Sequence, residues 1–414
     1  MQQPKILKNF LLLLGLQASG FILPLISFPY LARTLGIEVL GIFSLVQAIS
    51  IIVTVIADYG YITTGTQRVS VHRDDHVYLG KLINASLSLR LLIACLASCV
   101  GIFYLAFALP SGQVELLSLL SVLTMALLGS LNFPWFFQGI ERMPQFTLIL
   151  VTSRVVSVIL LFLLVSGPKS LSAALWINIL PQLAGAIYCL YYFSKKLLWR
   201  YEIPKFSSVK EEAQNGWHFF TPTFYSIFFT QMGLVALGLY QSQAVVGGYA
   251  VMDRLAKAVA SINGAVNQAV YPQAALAMSR SHAEGVQVIK KYAAIFLPFF
   301  LLVCIALAIG SPFIVKLLFG QIYVKFSDAL SLLAIFIFAS AVNTFVGVIY
   351  MTTSGRQKEY SGAVLFGTCL AMLIYFLTPK LIGYYAPVLG LVLGESAILI
   401  VIAYNLLKAD KNYV

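Results

Sequence analysis

The chain has 414 residues, 60% of them hydrophobic and only 10% charged, with a formal net charge of +12. That balance excludes an ordinary soluble domain, in which about a quarter of residues carry charge. The basic excess invites a nucleic-acid partner, but its placement along the chain is that of a topology signal instead.

Apolar blocks fall at about 8–31, 39–63, 82–109, 114–138, 145–166, 171–193, 216–240, 244–270, 292–319, 326–352, 359–381 and 385–407. Each reaches the roughly 20 residues that a helix needs to cross a bilayer. Their length, and the missing apolar–polar alternation, predict twelve transmembrane helices and no β-barrel. The first block is too long for a cleaved signal and is read as a retained helix. Pro24 and Pro29 interrupt it, and neighbouring helices or water must satisfy the carbonyls they free. Arg33 closes that helix, either snorkelling at the interface or facing a cavity.

With the amino terminus inside, cytoplasmic segments hold eighteen Lys and Arg, and outward segments hold five: Arg33, Lys169, Lys316, Lys325 and Lys380. This bias puts both termini in the cytoplasm. Arg68 lies in the short inner loop from Gln67 to Gly80, at a cytoplasmic entrance. The longest polar connection, 194–215, carries five Lys or Arg and reads as a cytoplasmic linker near anionic headgroups. It separates an amino-terminal six-helix bundle, 1–193, from a carboxy-terminal one, 216–414.

Two internal echoes support that division. Val39 to Gln47 aligns with Val245 to Asp253 without a gap, and Gly139 to Arg142 aligns with Gly355 to Lys358. Both offsets are near half the chain, as a duplicated six-helix unit requires.

Four cations lie inside the blocks: Arg90, Arg154, Arg254 and Lys257. A charge at membrane depth costs a few kcal/mol and persists only when it is paired or wet. Asp253 and Lys257, four apart, share a helix face, which leaves Arg254 as the excess cation of its helix. Asn263, Asn267 and Gln268 continue the polar side of the same stretch. Asp58, Asp253, Glu359 and Glu395 are the carboxylates placed at membrane depth, for charge pairing or for ion coupling. Asp58 and Glu395 are also available partners for Arg90 and Arg154. A positively lined interior points to an anionic passenger. The five cysteines lie in apolar blocks without metal-like or disulfide-like spacing, and no catalytic constellation stands out in the short outer loops. Neither cofactor nor metal is expected.

FPYLARTLG, GIFSLVQA and ADYGYITTGTQR, followed by WFFQGIERM, MDRLAKAVASINGAVNQAVYP, LLFGQIYVKFSDAL and TTSGRQKEY, together resemble Wzx-type O-antigen flippases of the polysaccharide-transporter branch of the MOP superfamily. The resemblance runs over essentially the whole chain. It implies a V-shaped, MATE-like pair of six-helix bundles in the bacterial inner membrane. It also implies a passenger: an undecaprenyl-pyrophosphate-linked oligosaccharide, delivered beside other O-antigen assembly proteins. Arg33, Asp253, Arg254 and Lys257 fall at the matching cavity positions, and Arg68 falls in the TQR motif. Arg90 and Arg154 rest on the charge pattern alone. The competing readings are a multidrug exporter of the same superfamily and, in a different class, a membrane glycan polymerase or ligase. An exporter of organic cations suits an acidic cavity, and an enzyme calls for a long catalytic outer loop.

Overall fold

The computed structural model describes residues 23–109, 116–197 and 199–411, and every regular element among them is helical. Most of the first apolar block and the last residues of the chain lie outside this range. Packing divides the chain into two compact units, Met1–Ile227 and Phe228–Val414.

The first unit opens with α1 (23–35) and α2 (Ile37–Asp58), separated at Gly36 by a positive φ of 77°. Next come α3 (Tyr61–Val71), α4 (His76–Ala108), α5 (Leu116–Ser130) and the short α6 (Pro134–Gly139). The unit continues with α7 (Met143–Leu164), α8 (Leu171–Ile177) and α9 (Leu180–Lys196). Helix α10 (Phe206–Tyr240) begins inside the polar stretch 194–215 and runs through the boundary between the units. The second unit holds α11 (Gln243–Ala260), α12 (Ile262–Arg280), α13 (His282–Phe319) and α14 (Ser327–Asn343). A π-helical stretch (Thr344–Met351) extends α14 and is followed by α15 (Gln357–Leu377), the short α16 (Pro379–Ile382) and α17 (Tyr385–Lys411).

Local sequence explains these boundaries. The Asp75 side chain caps α4 by accepting the Tyr78 N–H at 2.9 Å, which satisfies one orphan donor of the first turn. Proline in the first turn of α7 and of α9 occupies a position where a missing N–H does no harm. The core of the first unit is aromatic: Trp135, Phe136 and Phe137 of α6 are fully buried against Phe146, Phe193 and Tyr61. In hydrocarbon, where burial itself supplies little drive, such close packing is what holds helices together.

Ten stretches of the described residues are long and apolar enough to cross a membrane. The predicted span 244–270 is not among them. It is divided at Ser261 into α11 and α12, and its charges and amides lower its apolarity.

The two units share local details. The Leu40 N–H donates to Gly36 O at 3.0 Å and the Val246 N–H to Ser242 O at 3.1 Å, at the same offset of 206 as the sequence echo. Helices α4 and α13 both start at histidines with that offset. The second echo shifts register. Arg142 N–H donates to Phe137 O and Arg356 N–H to Met351 O, both at 2.8 Å, so that Glu141 and not Gly139 is the equivalent of Gly355. Both turns close with a six-residue bond across a left-handed residue, Glu141 at φ 60° and Gly355 at φ 79°. A glutamate in a conformation that favours glycine disguises the match in the sequence.

Candidate functional site

The interior of the first unit is polar where α2, α4, α5, α7 and the bent α8–α9 pair converge. Arg90, on α4, is 2% exposed; both terminal nitrogens of its guanidinium are hydrogen-bonded, while its Nε is buried without a partner. The guanidinium donates to Asp58 Oδ1, to Gly129 O and to Asn132 O, each at 3.0 Å, and stands 5.1 Å from the Phe133 ring centre. Two of those acceptors lie at or just beyond the carboxyl end of α5, the end that favours a cation. Arg90 therefore ties α2, α4 and α5 together. It lines a cavity, but binding a passenger there would require it to release these partners.

Two cavities open beside this tie. One, of about 280 Å³, is lined by Thr54, Asp58, Arg90, Asn132, Arg154 and Gln182 among others. The other, of about 240 Å³, is lined by Ser27, Arg154, Ser157, Asn178 and Gln182 together with Pro24 and apolar side chains. They share Arg154, Pro181 and Gln182. Among the described residues, the charged members of the combined lining are Arg90, Arg154 and Asp58, a net formal charge of +1. Pro181 lacks the N–H that would bond the carbonyl of Ile177, so the span bends here, as irregular backbone at membrane depth does where it borders a cavity. Asn132 braces the bend, donating to Gln182 O and Leu128 O at 2.8 Å each. Gly185 makes room for it: a Cβ there would lie 1.9 Å from Asn132 Oδ1.

The second unit pairs the charges of α11. Lys257 Nζ lies 2.6 Å from Asp253 Oδ2 and donates to Thr230 O at 2.6 Å, while Tyr249 donates to Asp253 Oδ1 at 3.3 Å. The spacing-based pair is thus formed, and Lys257 offers no uncompensated charge. Arg254, next to Asp253, is half-buried. Asn263 donates to Ser340 at 3.4 Å, its Oδ1 and that of Asn267 are buried without partners, and Gln268 is exposed. Glu395, 4% exposed, accepts from Asn343 at 2.7 Å where α14 passes into the π-helical stretch. Glu359 is exposed and paired with Arg356 at the start of α15, at 2.6 Å. Arg33 is exposed at the end of α1.

Arg68 stands apart from the cavities around Arg154. It bonds Glu212 at 2.7 Å and Tyr78 at 3.1 Å, and Tyr61 also donates to Glu212, at 2.9 Å. Glu212 is a buried anchor drawn from the polar connection, a role that its run of charged neighbours conceals. Sequence reasoning also passed over Asn178 and Gln182. Two amides four apart in an apolar block, on either side of Pro181, were the available signal.

These observations describe a multi-pass, all-helical membrane protein. Among solved structures, a multidrug resistance MATE family transporter of the MOP superfamily has the same fold (TM-score 0.69, 13% identity, 95% of both chains covered). So does the lipid II flippase MurJ (TM-score 0.68, 13% identity, 97% of this chain and 87% of that one). In sequence, a protein of Escherichia coli strain K12 named as a candidate O-antigen transporter is 25% identical over 379 residues, 89% of each chain. The polysaccharide biosynthesis protein family matches residues 6–278, well over half of the chain. The chain belongs to that family.

Proposed function

We propose that the protein is a flippase that carries an undecaprenyl-pyrophosphate-linked O-antigen oligosaccharide from the cytoplasmic to the periplasmic leaflet of the bacterial inner membrane, by alternating access. The observation that carries this reading is the pair of polar cavities meeting at Arg154, whose described lining brings together Arg90, Arg154, Asp58, amides and hydroxyls. A diphosphate–sugar head cannot cross hydrocarbon bare. Amides, hydroxyls and a guanidinium replace part of its hydration, and the Arg fork suits two-pronged phosphate contact. In the second unit, Lys257 is assigned to holding Asp253. The name of the Escherichia coli relative agrees with this passenger.

Reconstitution tests it. Proteoliposomes containing the protein should translocate a fluorescent undecaprenyl-pyrophosphate-linked oligosaccharide, and Arg154→Ala should slow that transport. Saturable movement of cationic dyes without movement of the lipid-linked glycan would instead establish an exporter.

A further inference from the structure

In the smaller of the two cavities, of about 240 Å³, Arg154 is surrounded by neutral polar side chains. Ser27 comes from α1, Ser157 from α7, and Asn178 and Gln182 from the bent α8–α9 pair. Among the described residues this lining holds no carboxylate, whereas Asp58 and Arg90 line the neighbouring cavity. Much of its hydrogen-bonding capacity is unspent. Ser27 is 8% exposed, and neither its hydroxyl nor the Gln182 side-chain amide has a partner among the described residues. Asn178 spends one N–H on Ala174 O at 2.7 Å and keeps the other, together with its oxygen. Ser157, 6% exposed, puts its hydrogen on Ser153 O at 2.9 Å and keeps its lone pairs.

We infer that this cavity is a saccharide subsite. In it Ser27, Asn178 and Gln182 read the hydroxyls of an uncharged sugar residue next to the diphosphate, while Arg154 holds the diphosphate, an assignment that rests on the flippase reading. The lining chemistry is the first reason. Buried polar groups are normally hydrogen-bonded, so a buried hydroxyl and an amide without protein partners suit a guest that supplies both donors and acceptors. A sugar hydroxyl is both at once, as are the hydroxyls and amides that face it. An apolar guest would leave these groups unpaired. A sugar carrying a carboxylate would compete with the diphosphate for one guanidinium. The apolar members Leu23, Val158 and Leu161 suit the C–H faces of a sugar ring, as a few placed polar groups among apolar ones do in ligand sites generally. The backbone is the second reason. Asn178 and Gln182 stand four apart on either side of Pro181, and Asn132 fixes the turn by donating to Gln182 O at 2.8 Å. Polar groups held in place discriminate between hydroxyl patterns far better than mobile ones.

The test measures equilibrium binding of geranyl-tailed probes to the purified full chain: the bare diphosphate, its conjugates with glucose, galactose and mannose, and its conjugate with glucuronic acid. At least one neutral conjugate should bind about tenfold more tightly than the bare diphosphate, the worth of one or two net hydrogen bonds. The glucuronic acid conjugate should show no such gain. Gln182→Leu and Ser27→Ala remove no hydrogen bond within the protein, so neither burdens the fold. Each should weaken the preferred conjugate more than the bare diphosphate and flatten the preference among the three hexoses. Arg154→Ala should weaken the bare diphosphate as much as the conjugates. The subsite is overturned if the bare diphosphate binds as tightly as every neutral conjugate, if only the glucuronic acid conjugate gains, or if no probe binds. It is also overturned if both variants weaken the bare diphosphate as much as the preferred conjugate. After any of these results, translocation of the lipid-linked glycan by the wild type in proteoliposomes would leave the flippase reading standing, and its absence would remove both.

Discussion

Replacing Arg90 by Met keeps most of the side chain's volume and removes its charge, so it isolates what the guanidinium does. Losing one partner of a buried ion pair costs about 3–5 kcal/mol. Asp58 keeps 32% of its side-chain surface, so water relieves part of the penalty and the lower end, about 3 kcal/mol, applies. The carbonyls of Gly129 and Asn132 each lose a charged donor, adding about 1 kcal/mol apiece. The total is about 5 kcal/mol. At roughly 2–4 °C per kcal/mol for a unit of this size, the melting temperature in detergent should fall by on the order of 10 °C. Scanning fluorimetry of the purified variant measures it. The double variant Arg90→Met with Asp58→Asn should recover a substantial part, because it leaves no lone charge behind. A single variant that melts like the wild type yet no longer transports would refute the structural role and return Arg90 to the passenger.

Arg154→Ala should lower affinity for a diphosphate-bearing head by about 10- to 100-fold, the worth of one charge-assisted contact, with Arg154→Lys intermediate; equilibrium binding of a short-chain analogue measures both. Lys257→Met strands a buried carboxylate on α11 and should destabilise the protein by about 3 kcal/mol, with Asp253→Asn as the rescuing second change, read by thermal unfolding. Gly185→Ala drives a methyl into Asn132 and should cost about 1–3 kcal/mol, visible as a lower melting temperature together with weaker head binding, since Asn132 braces Gln182. Glu212→Ala removes the acceptor shared by Arg68 and Tyr61, and should speed proteolysis of the 194–215 connection without changing the affinity of the Arg154 cavities.

Among the described residues the helical element type was legible, because long apolar blocks in this composition satisfy their backbone groups as helices. The pairing of Asp253 with Lys257 was legible too, since it is settled within a single helix by spacing. The partner of Arg90 was narrowed only to two acids, Asp58 and Glu395, because tertiary packing chooses between them. Glu395 instead meets Asn343, an amide that no charge count singles out. The bend at Pro181 was present in the sequence, but a proline in a block says nothing about which neighbours line the resulting space. Glu212 was hidden most completely: a carboxylate in a charged stretch looks solvated until Tyr61 and Arg68 close over it.

The tie made by Arg90 gives the cavities of the first unit walls of unequal stiffness. The side formed by α2, α4 and α5 is clamped by a buried charge and cannot yield cheaply. The side formed by α7 and the bent α8–α9 pair carries hydrogen bonds between neutral groups, such as Tyr188 to Gln145 and Asn132 to Gln182 O. On the flippase reading, a bulkier guest is expected to displace this second side before the clamped one, so exchanging residues 143–196 between related chains should carry over size tolerance more readily than exchanging 37–130.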